Sequence, residues 1–102
     1  MIVEYIRYNI NAQRQQDFVA AYLKASQYLQ TSRFCLGYEL AQCEEESANF
    51  ILRIEWTSTE DHLTGFRKSS DFPGFLRHVR PFFSNIEEMN HYRLTPVVKK
   101  RE

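Results

Sequence analysis

The sequence carries no excess of either charge: Lys plus Arg and Asp plus Glu each number 13. It therefore has no net field to gather nucleic acid or anionic lipid. It also has no stretch approaching the roughly 20 apolar residues of a membrane span, and its N-terminus, MIVEYIRYNI, lacks a basic stretch leading into a continuous apolar one. A cytoplasmic protein without nucleic-acid or membrane partners is the expectation. Cysteine is scarce. Cys35 and Cys43 fall in one predicted strand, where their Cα atoms would lie about 26 Å apart at about 3.3 Å per residue. A disulfide needs Cα atoms within about 7 Å, so two reduced thiols are predicted. There is no CxxC and no Cys/His pair at zinc spacing, hence no predicted metal site. Internal repeats and low-complexity stretches are absent too.

What is present is aromatic. Eight Phe, six Tyr and one Trp in 102 residues are enough to dominate both a core and a pocket. The length suits one domain, taken as residues 1–96, followed by a charged tail, 97–102, predicted to be mobile. So short a chain buries only about two-thirds of its unfolded surface, so burial against a second subunit would add stability.

Residues 2 to 10 are rich in β-branched and aromatic types with Glu4, Arg7 and Asn9 interspersed, as in a strand covered on both sides. From Ala12 to about Gln30 the period becomes helical. Phe18, Tyr22, Ala25 and Leu29 form the apolar stripe, widened by Val19 and Ala21, and Asn11 is a capping candidate. Phe34, Leu36, Tyr38 and Leu40 then alternate with Cys35, Gly37, Glu39 and Ala41. After the acidic turn Glu44–Ser47, Phe50, Leu52, Ile54 and Trp56 alternate with Asn49, Ile51, Arg53 and Glu55. This pair reads as a hairpin.

Thr57-Ser58-Thr59-Glu60 has the capping-box pattern, with Leu63 and Phe66 marking the buried side of the helix it starts. Asp71 before Pro73 signals a second start, with Phe75, Leu76, Val79 and Phe83 at helical spacing until Pro81 ends or kinks the run. A last strand follows from about Asn85 to Thr95. The order is the ferredoxin-like βαββαβ of an α+β domain, a four-stranded antiparallel sheet with both helical segments on one face. Val3, Tyr5, Ile51 and Met89 are assigned to the opposite face, which is then apolar enough to predict a homodimer through that sheet face.

The stretch Phe50-Ile51-Leu52-Arg53-Ile54-Glu55-Trp56-Thr57-Ser58-Thr59-Glu60-Asp61-His62, with Phe66 and Ser69-Ser70-Asp71-Phe72 beyond it, resembles the antibiotic biosynthesis monooxygenase (ABM) domains. Their pattern is an apolar strand ending in Trp, then a Ser, an acidic helix start and a short segment ending in Phe. The resemblance implies a dimeric α+β barrel with a ligand cavity between each sheet and its own helices. It also implies a monooxygenase that needs no cofactor, because an electron-rich phenolic, quinol or polyketide anion itself reduces oxygen. This chain departs from the family at several places. Leu52 stands where one branch has Asn; the helical Arg of that branch aligns with Leu76 or, with one gap, Arg77; Phe66 and Asp71 stand where many members have His. The counterparts of the residues required by the haem-degrading branch are about Ile6, Phe66 and Leu76, so haem degradation is disfavoured.

Trp56 is the first-choice site residue, with core packing at a strand end as the competing role. Among His62, His78 and His91, each able to titrate near neutrality, His78 is preferred for lying on the helix over the cavity, with Arg77 beside it as a polar helper. The expected catalytic set is thus Trp56, Arg77 and His78. The expected pocket is lined by Ile6, Leu52, Trp56, Phe66 and Phe75, with a small aromatic molecule as ligand. Arg53 and Glu55 read as a charge pair on the dimer face rather than as an acid and base. The alternatives are a non-catalytic ligand-binding or regulatory homodimer on the same fold, and a haem-binding protein with His62 or His78 as axial ligand.

Overall fold

The structure is a computed structural model that describes residues 1–101. Four strands, β1 (Ile2–Asn9), β2 (Cys35–Gln42), β3 (Asn49–Trp56) and β4 (Ile86–Arg93), form one antiparallel sheet in the order β2-β3-β1-β4. Helices α1 (Gln15–Gln30) and α2 (Phe72–Val79) complete the predicted ferredoxin-like α+β domain. Placing β1 centrally explains its mixed pattern, since it is hydrogen-bonded on both edges. The tail has no regular structure through Arg101, and Glu102 lies outside the described residues. Both cysteines are free, and among the described residues no helix is long and apolar enough to cross a membrane.

The α1 stripe packs as its spacing predicts, with Phe18, Tyr22, Ala25 and Leu29 all buried. Phe18 is the hub. Its ring meets those of Tyr8, Tyr22, Phe50 and Phe82 edge to face, at centroid distances of 4.7, 5.2, 5.0 and 5.2 Å. This geometry sets the positive ring edge against a negative face. Asp71 ties the two helices together by accepting from the Thr31 hydroxyl at 2.7 Å.

Several local expectations are corrected. Val19 is exposed rather than part of the stripe, and Asn11 precedes a 3-10 turn, Ala12–Arg14, without a capping bond from its side chain. A bulge between Cys35 and Gly37 shifts the β2 register, so Cys35 packs against the core and Leu36 is exposed. One inserted residue exchanges the two faces. Met89 pairs with Ile6 across β1 and β4, which places it on the helix-covered face and not the open one. Beyond α2, Pro81 turns the chain into a 3-10 segment, Arg80–Asn85. At three residues per turn Phe82 follows Val79 into the core, whereas Phe83, expected there at four-residue spacing, is exposed.

The decisive local departure follows β3. Ser58 Oγ, not Thr57, accepts from the backbone N–H of the third residue on, Asp61, at 2.9 Å. The chain then forms a π-helical turn, Asp61–Phe66, closed by Arg67 N–H to the His62 carbonyl at 3.1 Å. A wider turn brings residues four apart onto one side more squarely than residues three apart. His62 and Phe66 are therefore buried, and Leu63 is exposed.

Candidate active site

Between the sheet, the π-helical turn and α2 lies a cavity of about 610 Å³. Its walls include Ile6, Ile54, Trp56, Phe66, Phe72 and Phe75; Phe83 and Met89 also line it and are solvent-exposed, which puts them at its mouth. Into this apolar surface five polar side chains intrude: Glu4, Tyr8, Tyr22, His62 and Arg67. Such a volume, largely aromatic with a few polar groups, suits one small aromatic ligand.

Glu4 is the least expected of these. β1 alternation sends it to the same face as Ile6 and Tyr8, where it is 1 % exposed. Trp56 Nε1–H donates to Glu4 Oε1 at 3.0 Å. The other oxygen, Oε2, has no hydrogen-bond partner among the described residues. A buried carboxylate half-satisfied in this way resists ionisation. Burial raises its pKa from 4.5 to about 6, while the Trp56 hydrogen bond and the Arg67 charge pull it back down.

His62 lies flat on the Trp56 indole, centroids 4.4 Å apart. Its Nδ1 is 2.7 Å from His91 Nε2 and its Nε2 is 3.6 Å from Glu4 Oε1. Burial, with the nearby Arg67 charge, drives its pKa from 6.5 to about 3, so the ring is neutral at physiological pH. His91 is the β4 register partner of Glu4 and is also lowered, again by burial and Arg67. Further along β1 the hydroxyl of Tyr8 is hydrogen-bonded to that of Tyr22 on α1. Burial raises both, Tyr8 to about 12, so both remain protonated donors.

Of the residues expected at a site, the fold brings Trp56, Ile6, Phe66 and Phe75 to one cavity. Leu52 is buried but pairs with Leu40 on β2 and lines a separate hollow of about 370 Å³ with α1. Arg77 is exposed, and His78 sits against Tyr28 of α1 at 6.1 Å between ring centroids. Neither lines the cavity, because α2 presents Phe72, Phe75 and Leu76 to it, and one or two residues further on the helix has turned by 100–200°. Glu4 and Arg67 were missed, and His62 and His91 were named as candidates but ranked below His78. The available signal was Glu4 sharing parity with Ile6 and Tyr8 on an apolar strand.

Glu4, His62 and His91 offer donor atoms all within 4.8 Å of one another, as a divalent ion would require. Their arrangement fits an ion poorly. Two ligands on one tetrahedral ion with bonds of ~2.0–2.1 Å lie about 3.3 Å apart, but the two facing imidazole nitrogens are at 2.7 Å. The two nitrogens of His62 also face different partners, which leaves neither free as an axial ligand for haem.

A ferredoxin-like α+β domain with an aromatic cavity between its sheet and its own helices is the class these features define. The family model for antibiotic biosynthesis monooxygenase matches residues 1–79, and the chain belongs to that family. It is 26% identical over 93 residues to the uncharacterized protein YczJ of Bacillus subtilis (strain 168), covering 91% of this chain and 98% of that protein. Its fold matches a provisionally named antibiotic biosynthesis monooxygenase of Bordetella bronchiseptica at TM-score 0.74 and 23% identity, covering 92% and 96% of the two chains. A conserved protein of Methanosarcina mazei Go1 matches at TM-score 0.76 and 16% identity, covering 92% of each.

Proposed function

We propose that this protein is a cofactor-independent monooxygenase acting on a small electron-rich aromatic, a phenol, quinol or anthrone, with Glu4 as its base. The observation that carries this reading is the buried Glu4 carboxylate, one oxygen held by Trp56 and the other unpartnered, in the wall of an aromatic cavity. A base with a pKa of about 6 is ionised at neutral pH yet close enough to it for efficient proton transfer.

For an anthrone-type methylene the steps balance as follows. Glu4 takes one C–H proton and leaves a ring-delocalised carbanion. The carbanion gives one electron to dioxygen, and the radical pair joins to form a C–O bond. The peroxide anion takes back the proton held by Glu4, and the ionised Glu4 then removes the second C–H proton as the O–O bond breaks. The hydroxide released takes that proton, giving a carbonyl and water with Glu4 ionised again. In the Tyr8–Tyr22 pair one hydroxyl donates to the other, and the accepting one keeps its proton to donate to the substrate oxygen on which negative charge accumulates, while Arg67 adds positive charge nearby. Apolar walls exclude water, which strengthens both effects. The functional unit on this reading is a homodimer through the open sheet face. That face exposes Ile51 and Tyr92 beside the Arg7–Glu88 and Arg53–Glu55 pairs at 3.4 and 3.3 Å.

Oxygen uptake across a panel of hydroquinones and anthrones tests the reading. The protein should exceed the uncatalysed rate with at least one of them, and Glu4→Gln should lower kcat about 10²–10⁴-fold. No uptake above background in folded protein sinks it. A second reading, a small-ligand-binding or regulatory homodimer, is favoured by Phe66, an apolar cavity wall where many family members carry His. Tight binding of the same aromatics without oxygen consumption is its signature.

A further inference from the structure

We propose that His62 and His91 form a proton relay that connects buried Glu4 to solvent. The inference rests on Glu4 being the base, and its geometry is independent of which substrate is bound. Glu4, His62 and His91 come from β1, the π-helical turn and β4, and they are joined in series. His62 presents Nε2 to Glu4 Oε1 at 3.6 Å and Nδ1 to His91 Nε2 at 2.7 Å. Exposure rises along the series, from 1 % at Glu4 through 4 % at His62 to the half-buried His91.

A filled cavity cuts Glu4 off from water on the substrate's side, so a path through the wall lets its proton equilibrate with solvent without crossing the substrate. The mouth beside Phe83 and Met89 is the route the substrate takes, whereas the two imidazoles run along the wall from Glu4 on β1 to half-buried His91 on β4. Imidazole is suited to the task because one nitrogen accepts while the other donates. In the exit step the Glu4 proton on Oε1 moves to His62 Nε2 as that gap closes to about 2.8 Å. The Nδ1 proton of His62 passes to His91 Nε2, and His91 Nδ1 releases its proton to water. One proton enters and one leaves. His62 and His91 each end as the other tautomer, with Glu4 ionised and accepting from His62 Nε2–H. The reverse step, from water to His91 Nδ1, from His91 Nε2–H to His62 Nδ1 and from His62 Nε2–H to Glu4, returns both rings to the first tautomer and reprotonates Glu4, so the path exchanges protons in both directions.

The depressed pKa of His62 keeps this ring neutral, so it carries protons without trapping one. The stack on Trp56 fixes the plane of the ring and therefore the direction of both nitrogens. Other polar groups lining the cavity with the series are Trp56 on β3, Arg67 just past the π-helical turn, Tyr8 further along β1 and Tyr22 on α1; α2 lines it with apolar side chains. Arg67 is the one fixed charge among them, and it favours neutral imidazoles.

The test needs neither substrate nor oxygen. Trp56 is the only tryptophan and donates to Glu4, so its indole N–H reports Glu4 protonation by ¹⁵N relaxation dispersion at the pH of half-titration. His91→Ala should slow proton exchange at Glu4 about tenfold or more, and free imidazole should restore it. His91→Gln, which keeps a hydrogen bond to His62 but cannot take up a proton and pass one on, should behave like His91→Ala without rescue. Exchange unchanged in His91→Ala, or slowed but not restored by imidazole, overturns the relay. Because turnover is not measured, this failure and failure of the oxygenase reading are separate results.

Discussion

The imidazole of His62 and the indole of Trp56 lie 4.4 Å apart with their planes only 12° from parallel. The stack joins the end of β3 to the π-helical turn, and both rings lie against the same carboxylate: Trp56 Nε1–H donates to Glu4 Oε1, and His62 Nε2 is 3.6 Å from it. The position of each ring thus depends on the other.

Trp56→Phe keeps an aromatic surface for His62 but removes the only donor to Glu4 Oε1. The hydrogen bond from Trp56 counts against burial in setting the Glu4 pKa, so the pKa should move upward from about 6. The acid limb of the oxygen-uptake profile should follow it. Leaving both carboxylate oxygens without that bond should also cost about 1–3 kcal/mol at pH 7, readable by urea denaturation.

Acid sensitivity should reside largely in His62. Its folded pKa of about 3 lies below the ordinary 6.5, so its contribution to stability is present above pH 6.5 and is lost as pH falls toward 3. Glu4 acts in the opposite direction. Its pKa of about 6 is above 4.5, so its contribution, about 2 kcal/mol, is complete below pH 4.5 and lost as pH rises through 6. His62→Phe should therefore lose less stability than wild type between pH 7 and pH 4.5. Equal falls in the urea midpoint would contradict this assignment.

At Gly74, α2 passes hard against the Tyr28 ring of α1. A Cβ there would sit 2.3 Å from Tyr28 Cε1. Gly74→Ala should destabilise by about 1–3 kcal/mol as the ring is forced aside. Tyr28→Ala in the same chain should recover part of that loss, and a double-mutant cycle by chemical denaturation measures the coupling.

If the open sheet face is the dimer interface, Ile51→Glu should weaken association by placing a carboxylate in a buried contact. Sedimentation equilibrium of wild type and variant gives the answer. A folded variant with unchanged self-association assigns the interface to another surface.

The strands and α1 were legible because their side chains repeat with the period of the backbone that carries them. Phe50, Leu52, Ile54 and Trp56 alternate and are all buried; Phe18, Tyr22, Ala25 and Leu29 recur at helical spacing and are all buried. Reading failed wherever the period itself changed. The bulge near Leu36, the π-helical turn at His62 and the 3-10 segment at Phe83 each alter the residue count per turn or per pair. Pairing with β3 accommodates the first, a backbone bond five residues long closes the second and Pro81 starts the third, and the side-chain pattern does not record them.

By itself, the sequence determined the α+β order, the antiparallel sheet, the aromatic core and the placing of Trp56 at the end of an apolar strand, since each follows from local periodicity and the chemistry of turns. Only the tertiary structure brought Glu4, Trp56, His62 and His91 together. They come from β1, β3, the π-helical turn and β4, and no spacing along the chain encodes a contact between residues 4 and 56 or 62 and 91. Register across the sheet and one widened helical turn decide it, and with them the burial that moves Glu4 and His62 away from their ordinary ionisation.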